Sequence, residues 1–223
     1  MKKKILVAGG TGYIGSHTTV ELQNAGYEVV IIDDLSNSNI EVLDGIEKIT
    51  GIRPEFIQLD LKDKEGTRKA LEAHPGIKGI ILFAASKAVG ESVQQPLKYY
   101  RNNIVTLVNL LEMMPEFNIE GIVFSSSCTV YGQPDPENLP VTEIGELPNG
   151  VPQNLIPYLT QTAMGIRKEL SVFGDDYDTA DGSCIRDYIN VVDLAKAHVI
   201  AMDRMLENKS DEHIEIFNLG TGN

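Results

Sequence analysis

The sequence has only two cysteines, Cys128 and Cys184, in unrelated surroundings. That is too few for a disulfide framework and suits free thiols in a reducing compartment. Basic residues are also scarce: 19 Lys and Arg stand against 32 Asp and Glu, a net charge of −13. This balance argues against a nucleic-acid groove or an anionic membrane surface, although a local basic pocket for a phosphate remains open. No apolar run approaches the ~18 residues of a membrane span. The opening MKKKILVAGG has a basic head, but its apolar stretch is too short for a signal peptide. It reads as a first strand, and the protein as cytoplasmic. The four histidines lie far apart without ligand spacing, so no metal site is expected.

What the sequence does hold is an alternation. Short apolar runs at residues 4–8, 28–32, 56–59, 79–83 and 121–125 read as strands covered on both faces. Helical patterns near 13–25, 39–50, 63–73 and 98–114 lie between them, and Gly26 is placed to close the first in a left-handed turn. This rhythm predicts an α/β, Rossmann-type doubly wound parallel sheet. After Tyr131 the character changes. Residues 132–154 hold five prolines and no strand-like run. Beyond them the pattern predicts a helix near 154–166, a strand over 186–191 and a helix near 192–207. The chain then runs through FNLG, a further strand-like stretch.

Residues 9–15 read GGTGYIG. The glycines at 9, 12 and 15 end the first strand and open the first helix, and that setting makes a weak motif strong. Glycine lets the backbone approach a pyrophosphate, and the helix start supplies N–H groups and positive potential. The second strand ends in Asp33, about twenty residues on. An acid there accepts from an adenosine ribose and repels a 2′-phosphate, which points to NAD rather than NADP. Asp60 ends the third strand and suits either the adenine end of the dinucleotide or a helix cap. Residues 125–132, SSSCTVYG, leave the sheet at the edge where ligands bind, so their hydroxyls suit a substrate oxygen or a self-satisfied turn. The fourth strand ends in FAASKAVGES; Lys87 there lies beside a cofactor or in solvent.

Together GGTGYIGSH, DDLSNS, FAASKAVGESVQQPLKYYRNN, FSSSCTVYG, ELPNGVPQNLIPY, LSVFGDDY and RDYINVVDLAKAH resemble the UDP-glucose 4-epimerase (UDP-galactose 4-epimerase) family of extended short-chain dehydrogenase/reductases. The resemblance spans nearly the whole chain. It implies an NAD-binding domain over 1–143 and a fragment of a smaller UDP-sugar-binding domain over 144–223, with returning sheet strands. Tyr13 and Ile14 are then expected on the pyrophosphate, and Asp33, Asp34, Leu35, Ser36, Asn37 and Ser38 around the adenosine ribose. Asp60 and Leu61 flank the adenine. Phe83, Ala84, Ala85, Ser86, Lys87, Asn102 and Ser127 line the nicotinamide side. Ser127, supported by Thr129, hydrogen-bonds the sugar 4-hydroxyl. Asn154, Leu155, Ser171, Phe173 and Arg186 hold the uridine diphosphate, and a guanidinium suits that task by its bidentate geometry. The implied partners are UDP-glucose and UDP-galactose, and the parent is expected to be a homodimer.

The chemistry the resemblance implies is an isomerisation. A tyrosinate takes the sugar 4-hydroxyl proton, NAD takes the 4-hydride, the ketose turns over, and the hydride returns to its other face. That requires Tyr-x-x-x-Lys on the helix after the serine strand, where the lysine lowers the phenol pKa from about 10 toward neutrality. None of the eight tyrosines has lysine four residues later. In the family pattern this helix lies between VTE and IGELPNG; here Glu143 joins Ile144 directly. A further C-terminal part of the sugar domain is expected after Asn223. Without the tyrosine helix, apolar groups around Val105, Leu107, Leu110 and Leu111 are expected to be less covered. Three readings follow: an epimerase that lacks its base, a non-catalytic module for NAD or a nucleotide sugar, or an incomplete stretch of an ordinary epimerase.

Overall fold

The computed structural model describes residues 2–127, 142–143, 159, 161–170, 176, 179–180, 182 and 187–221. In chain order the elements are β1 (Lys4–Ala8), α1 (Tyr13–Asn24), β2 (Glu28–Asp33), α2 (Val42–Thr50), β3 (Glu55–Gln58), α3 (Lys64–Ala73) and β4 (Ile77–Leu82). There follow α4 (Val89–Gln94), α5 (Pro96–Tyr99), a π-helical turn (Tyr100–Ile104), α6 (Val105–Glu116) and β5 (Gly121–Phe124). The last elements are β6 (Thr142–Glu143), β7 (Asp187–Tyr188) and α7 (Val191–Leu206).

The contacts group Met1–Ser125 with Val192–Glu215 in one compact unit, and Ser126–Val191 with Ile216–Asn223 in a second. The first unit holds a five-stranded parallel sheet of order β3-β2-β1-β4-β5. Successive side chains of a strand point to opposite faces, and the core divides accordingly. Leu6, Ala8, Val30, Ile32, Ile80 and Leu82 face one way and pack on Leu71 of α3 and on Leu110 and Met113 of α6. Ile5, Val7, Val29, Ile31 and Ile81 face the other way, onto Leu22 of α1, Leu43 and Ile46 of α2, and Val199 and Met202 of α7. Covering both faces is what lets the strands be nearly all apolar. Helix α7 is further tied down where the Tyr27 hydroxyl donates to Asp203; partial burial, with that acid beside it, pushes the phenol pKa up.

The expected doubly wound sheet is thus present, with local differences. Gly26 closes α1 at φ 92, with the Tyr27 N–H returning to the Leu22 carbonyl. Helix α2 starts at Val42 rather than 39, because the Asn39 side chain takes the Glu41 N–H in a turn of its own. The helix expected near 98–114 begins earlier, in pieces. Pro96 forces Gln95 out of helical geometry, so α4 stops there and α5 restarts with proline at its first position. Residues 132–154 do contain a strand, β6, and it pairs in parallel with β7 in the second unit. FNLG is not a strand; Phe217 and Leu219 are exposed. Of the helix expected near 154–166, positions 159 and 161–163 are helical and 164–165 turn; 154–158 and 160, and Ile144 after Glu143, lie outside the described residues. Among the described residues no helix is long and apolar enough to cross a membrane.

Of the four residues expected to be less covered, Leu110 is fully buried, and Leu107 is half-buried against the core. Val105 and Leu111 are exposed, and they join Leu97, Ile104 and Val108 as exposed apolar groups along these helices. The 104, 108, 111 spacing puts three of them on one face of α6 and the turn before it. Exposed patches of this kind drive association. The chain is expected to scatter light increasingly with concentration, and Val108→Glu with Leu111→Glu to reduce that. A sharp, reversible, monomeric melt at high concentration would count against it.

Candidate functional site

The carboxyl ends of β1 and β4 lie side by side at the centre of the sheet, where strand order reverses. Open α/β sheets bind ligands in that crevice. The glycine loop leaves β1 there. Gly9 has φ 82, and a Cβ on it would meet the Ala84 backbone nitrogen at 2.6 Å. A Cβ on Gly15 would stand 2.2 Å from the Gly9 carbonyl oxygen. Gly9 and Gly15 therefore leave no room for a side chain, because backbone fills the space beside them. Helix α1 then begins at Tyr13 and Ile14 after Gly12, with no side-chain cap and no acidic residue in its first turn. A helix start in that condition favours an anion.

Asp33 ends β2 and turns toward this loop. Its Oδ2 accepts from the Thr11 N–H at 3.2 Å; Oδ1 accepts from the Leu35 N–H at 3.0 Å and the Ser38 hydroxyl at 3.1 Å. The side chain is 9% exposed. The loop after it folds on itself: Asp34 accepts from the Ser36 N–H and hydroxyl, while Asn37 is exposed. Asp60 is no helix cap. Asp63 caps α3, accepting from the Gly66 N–H at 3.0 Å, and Asp60 instead accepts from the Lys62 N–H at 2.9 Å. Leu61 puts its side chain in the core, and its carbonyl accepts from Asn109.

The loop after β4 is anchored at both ends. The Phe83 and Ala84 N–H groups both donate to the Ala8 carbonyl, and Ala85 is exposed. Asn103 then clasps Ser86, accepting its N–H at 2.8 Å and donating to its carbonyl at 3.0 Å. Asn102 donates to the Ser86 hydroxyl at 2.9 Å. Successive asparagines reach one loop residue because they sit in a π-helical turn, a distortion frequent at functional sites. Sequence reading had Asn102 and missed Asn103; the signal was two adjacent amides just before the apolar stretch that opens α6. Partial burial lowers the Lys87 ammonium pKa.

Ser127 is exposed and belongs to the second unit. Thr129, Asn154, Leu155, Ser171, Phe173 and Arg186 lie outside the described residues. The site residues brought together in the first unit are therefore the glycine loop, Asp33 to Ser38, and the 83–87 loop with Asn102.

Behind that loop stands His198 of α7, its ring 4.8 Å from Phe83. A carbonyl only accepts, so Nδ1 donates to Leu194 at 2.8 Å. Burial lowers the imidazole pKa below its ordinary value. The unfolded chain, with His near 6.5, therefore takes up this proton first. The contribution to stability is complete above about pH 6.5 and is lost as pH falls through the folded value. His198→Asn is expected to remove that share of the slope, at most about 1.4 kcal/mol per pH unit for one proton. Melting temperatures of both proteins between pH 7.5 and 5.5 check this; parallel curves would refute it.

Residues 5–148 and 139–220 match the NAD dependent epimerase/dehydratase family. The chain belongs to that family. Among its epimerase relatives, the UDP-glucose 4-epimerase of Bacillus subtilis is 43% identical over 98% of this chain and 77% of its own length. That of Schizosaccharomyces pombe is 42% identical over 98% and 75%. The crystal structure of UDP-glucose 4-epimerase from Bifidobacterium longum in complex with NAD+ and UDP superposes with a TM-score of 0.87. It is 37% identical, covering 99% of this chain and 78% of that one. The Stenotrophomonas maltophila enzyme with bound NAD and formylated UDP-arabinopyranose gives 0.85 at 38% identity, covering 93% and 75%. The Bacillus alignment runs over 267 positions, whereas 98% of 223 residues is about 219, so about 48 aligned positions have no counterpart here. The two stretches of the family match overlap at 139–148, around the Glu143–Ile144 junction.

Proposed function

We propose that this chain is an NAD-binding protein of UDP-glucose 4-epimerase type, built to interconvert UDP-glucose and UDP-galactose, and that these 223 residues hold the cofactor without turning the sugar over. The observation that carries the reading is the Asp33 carboxylate, fastened to the glycine loop at the Thr11 N–H. In that position it offers acceptors to a ribose diol and a negative charge to a 2′-phosphate. The residues present fit the dinucleotide: the glycines at 9, 12 and 15 carry no side chains, the Thr11 side chain turns to Ser38, and α1 starts uncapped. When bound, NAD supplies a reversible hydride acceptor for the sugar 4-carbon.

The roles of the chain's own residues follow. Asp33 and Ser38 orient the adenosine ribose, with Asp34, Leu35, Ser36 and Asn37 forming its rim and Asp60 and the Leu61 backbone the adenine side. Gly9, Gly12, Tyr13, Ile14 and Gly15 receive the pyrophosphate. Phe83 to Lys87, with Asn102 and Asn103 behind them, form the nicotinamide side. Ser127, supported by Thr129, binds the sugar 4-hydroxyl, and Asn154, Leu155, Ser171, Phe173 and Arg186 the uridine diphosphate. Residues 1–143 make the cofactor domain, 144–223 the partial UDP-sugar region, and a second copy of the chain is the protein partner.

The second reading, a non-catalytic binding module, is favoured by the absence of any tyrosine with lysine four residues on and by the unmatched positions. Calorimetric titration with NAD, NADP and UDP separates the readings. Binding of both NAD and UDP supports epimerase descent, binding of NAD alone supports the module, and no binding of NAD overturns both.

A further inference from the structure

Asp33 does not hold its orientation alone. The Ser38 hydroxyl lies 3.1 Å from Asp33 Oδ1 and 2.7 Å from the Thr11 hydroxyl. Ser38 has one hydroxyl proton, and a carboxylate only accepts. That proton goes to Asp33, so the Thr11 contact runs with Thr11 as donor. The three groups form a directed relay, from the Thr11 hydroxyl to the Ser38 hydroxyl to the Asp33 carboxylate. Thr11 is 2% exposed and sits between Gly10 and Gly12. The glycine loop is therefore tied to the acid twice: by the Thr11 N–H to Oδ2, and by the Thr11 side chain through Ser38 to Oδ1. Leu35 adds a third restraint. It stands at φ 60, an uncommon conformation for a bulky residue, and its N–H reaches Oδ1. Such backbone is kept where the surroundings over-determine it.

We propose that Thr11 is a positioning residue for dinucleotide selectivity: its hydroxyl, acting through Ser38, holds Asp33 in the orientation that accepts a ribose diol and turns away a 2′-phosphate. The proposal rests on the NAD reading above. The physical need is specific. A carboxylate repels a phosphate only while it stays close, because charge–charge energy falls with distance and is screened by water. An acid at the end of a strand, free to turn about its side-chain bonds, admits the phosphate by swinging away. Selectivity is a difference between two affinities, and here it rests on what prevents that swing. A chain of hydroxyls ending on a charged group supplies directional, charge-assisted restraint.

The test uses the full 223-residue chain and measures Kd for NAD and for NADP by calorimetry, with a melting curve for each variant. Thr11→Val keeps the side-chain shape and removes the hydroxyl; Thr11→Ser restores it. The expected result is an NADP-to-NAD Kd ratio about tenfold lower in Thr11→Val and near wild type in Thr11→Ser. In a Ser38→Ala background, Thr11→Val is expected to change the ratio no further, since the relay is already broken. An unchanged ratio in Thr11→Val, or a full effect that persists without Ser38, overturns the relay while the NAD reading stands. A wild-type chain that binds no NAD overturns both.

Discussion

Supplied with NAD and UDP-galactose, the purified 223-residue chain is expected to form no detectable UDP-glucose. Hydride leaves the sugar 4-carbon readily only as the hydroxyl proton is removed. A serine does not take that proton unaided, and no tyrosine here has a lysine four residues on to lower its pKa. Ser127 is an exposed residue of the second unit, and the glycine loop proposed to receive the dinucleotide belongs to the first. General-base catalysis contributes about 10²–10⁴-fold, so its loss alone lowers the rate by at least that much. Misplacement of the sugar lowers it further. Supplying the unmatched positions from the Bacillus relative, internal and terminal, is expected to restore turnover, and Ser127→Ala in the restored chain to lower it again. A coupled assay for UDP-glucose measures all three. Turnover by the short chain, or a restored chain indifferent to loss of Ser127, would sink the argument.

The second large effect is expected in the glycine loop. Gly9→Ala must hold an L-residue at φ 82 while its Cβ presses on the Ala84 backbone nitrogen. Gly15→Ala drives a Cβ to 2.2 Å from the Gly9 carbonyl oxygen and 2.9 Å from the Gly10 Cα. In each case the obstacle is backbone, which has no rotamer to yield. The loop or the start of α1 has to move. Each substitution is expected to cost about 3 kcal/mol or more, by the strain and overpacking terms that produce the largest single-residue effects. For a chain of this size that lowers the melting temperature by about 6–12 °C. NAD binding is expected to weaken more than tenfold, because the moved backbone is the one proposed to receive the pyrophosphate. Gly45→Ala is the control of opposite sign. Gly45 lies inside α2 with nothing within 4 Å of the added methyl. It is expected to gain about 0.4–1 kcal/mol. Melting curves and NAD titrations of the three variants check this; a tolerated Gly15→Ala would refute the steric account.

By itself the sequence determined the sheet and its winding, and it singled out the glycine turn as the place proposed for the dinucleotide. Strands buried on both faces must be nearly all apolar, so β1, β2 and β4 stand out against the polar turns beside them. The glycine spacing and Asp33 are local in the chain, and their meaning comes from standing at strand ends. The lack of a tyrosine–lysine pair is likewise a fact of the sequence alone. The tertiary structure decided what depends on residues far apart meeting. No periodicity places the Thr11 hydroxyl on Ser38, 27 residues away, or makes Asn103 clasp Ser86 across 17. Helix α7 could be read as a helix from its pattern, but its return to the sheet under Phe83 depends on Val199 and Met202 finding an open face. Asp60 and Asp63 look alike as helix caps in the sequence; the chain's turn gave the cap to Asp63. Leu110 and Leu111 are adjacent and equally apolar, and only the rotation of α6 against the sheet buried the first and exposed the second. Pairings of this kind arise from the geometry of packing two layers of helices on a twisted sheet, which one-dimensional patterns do not carry.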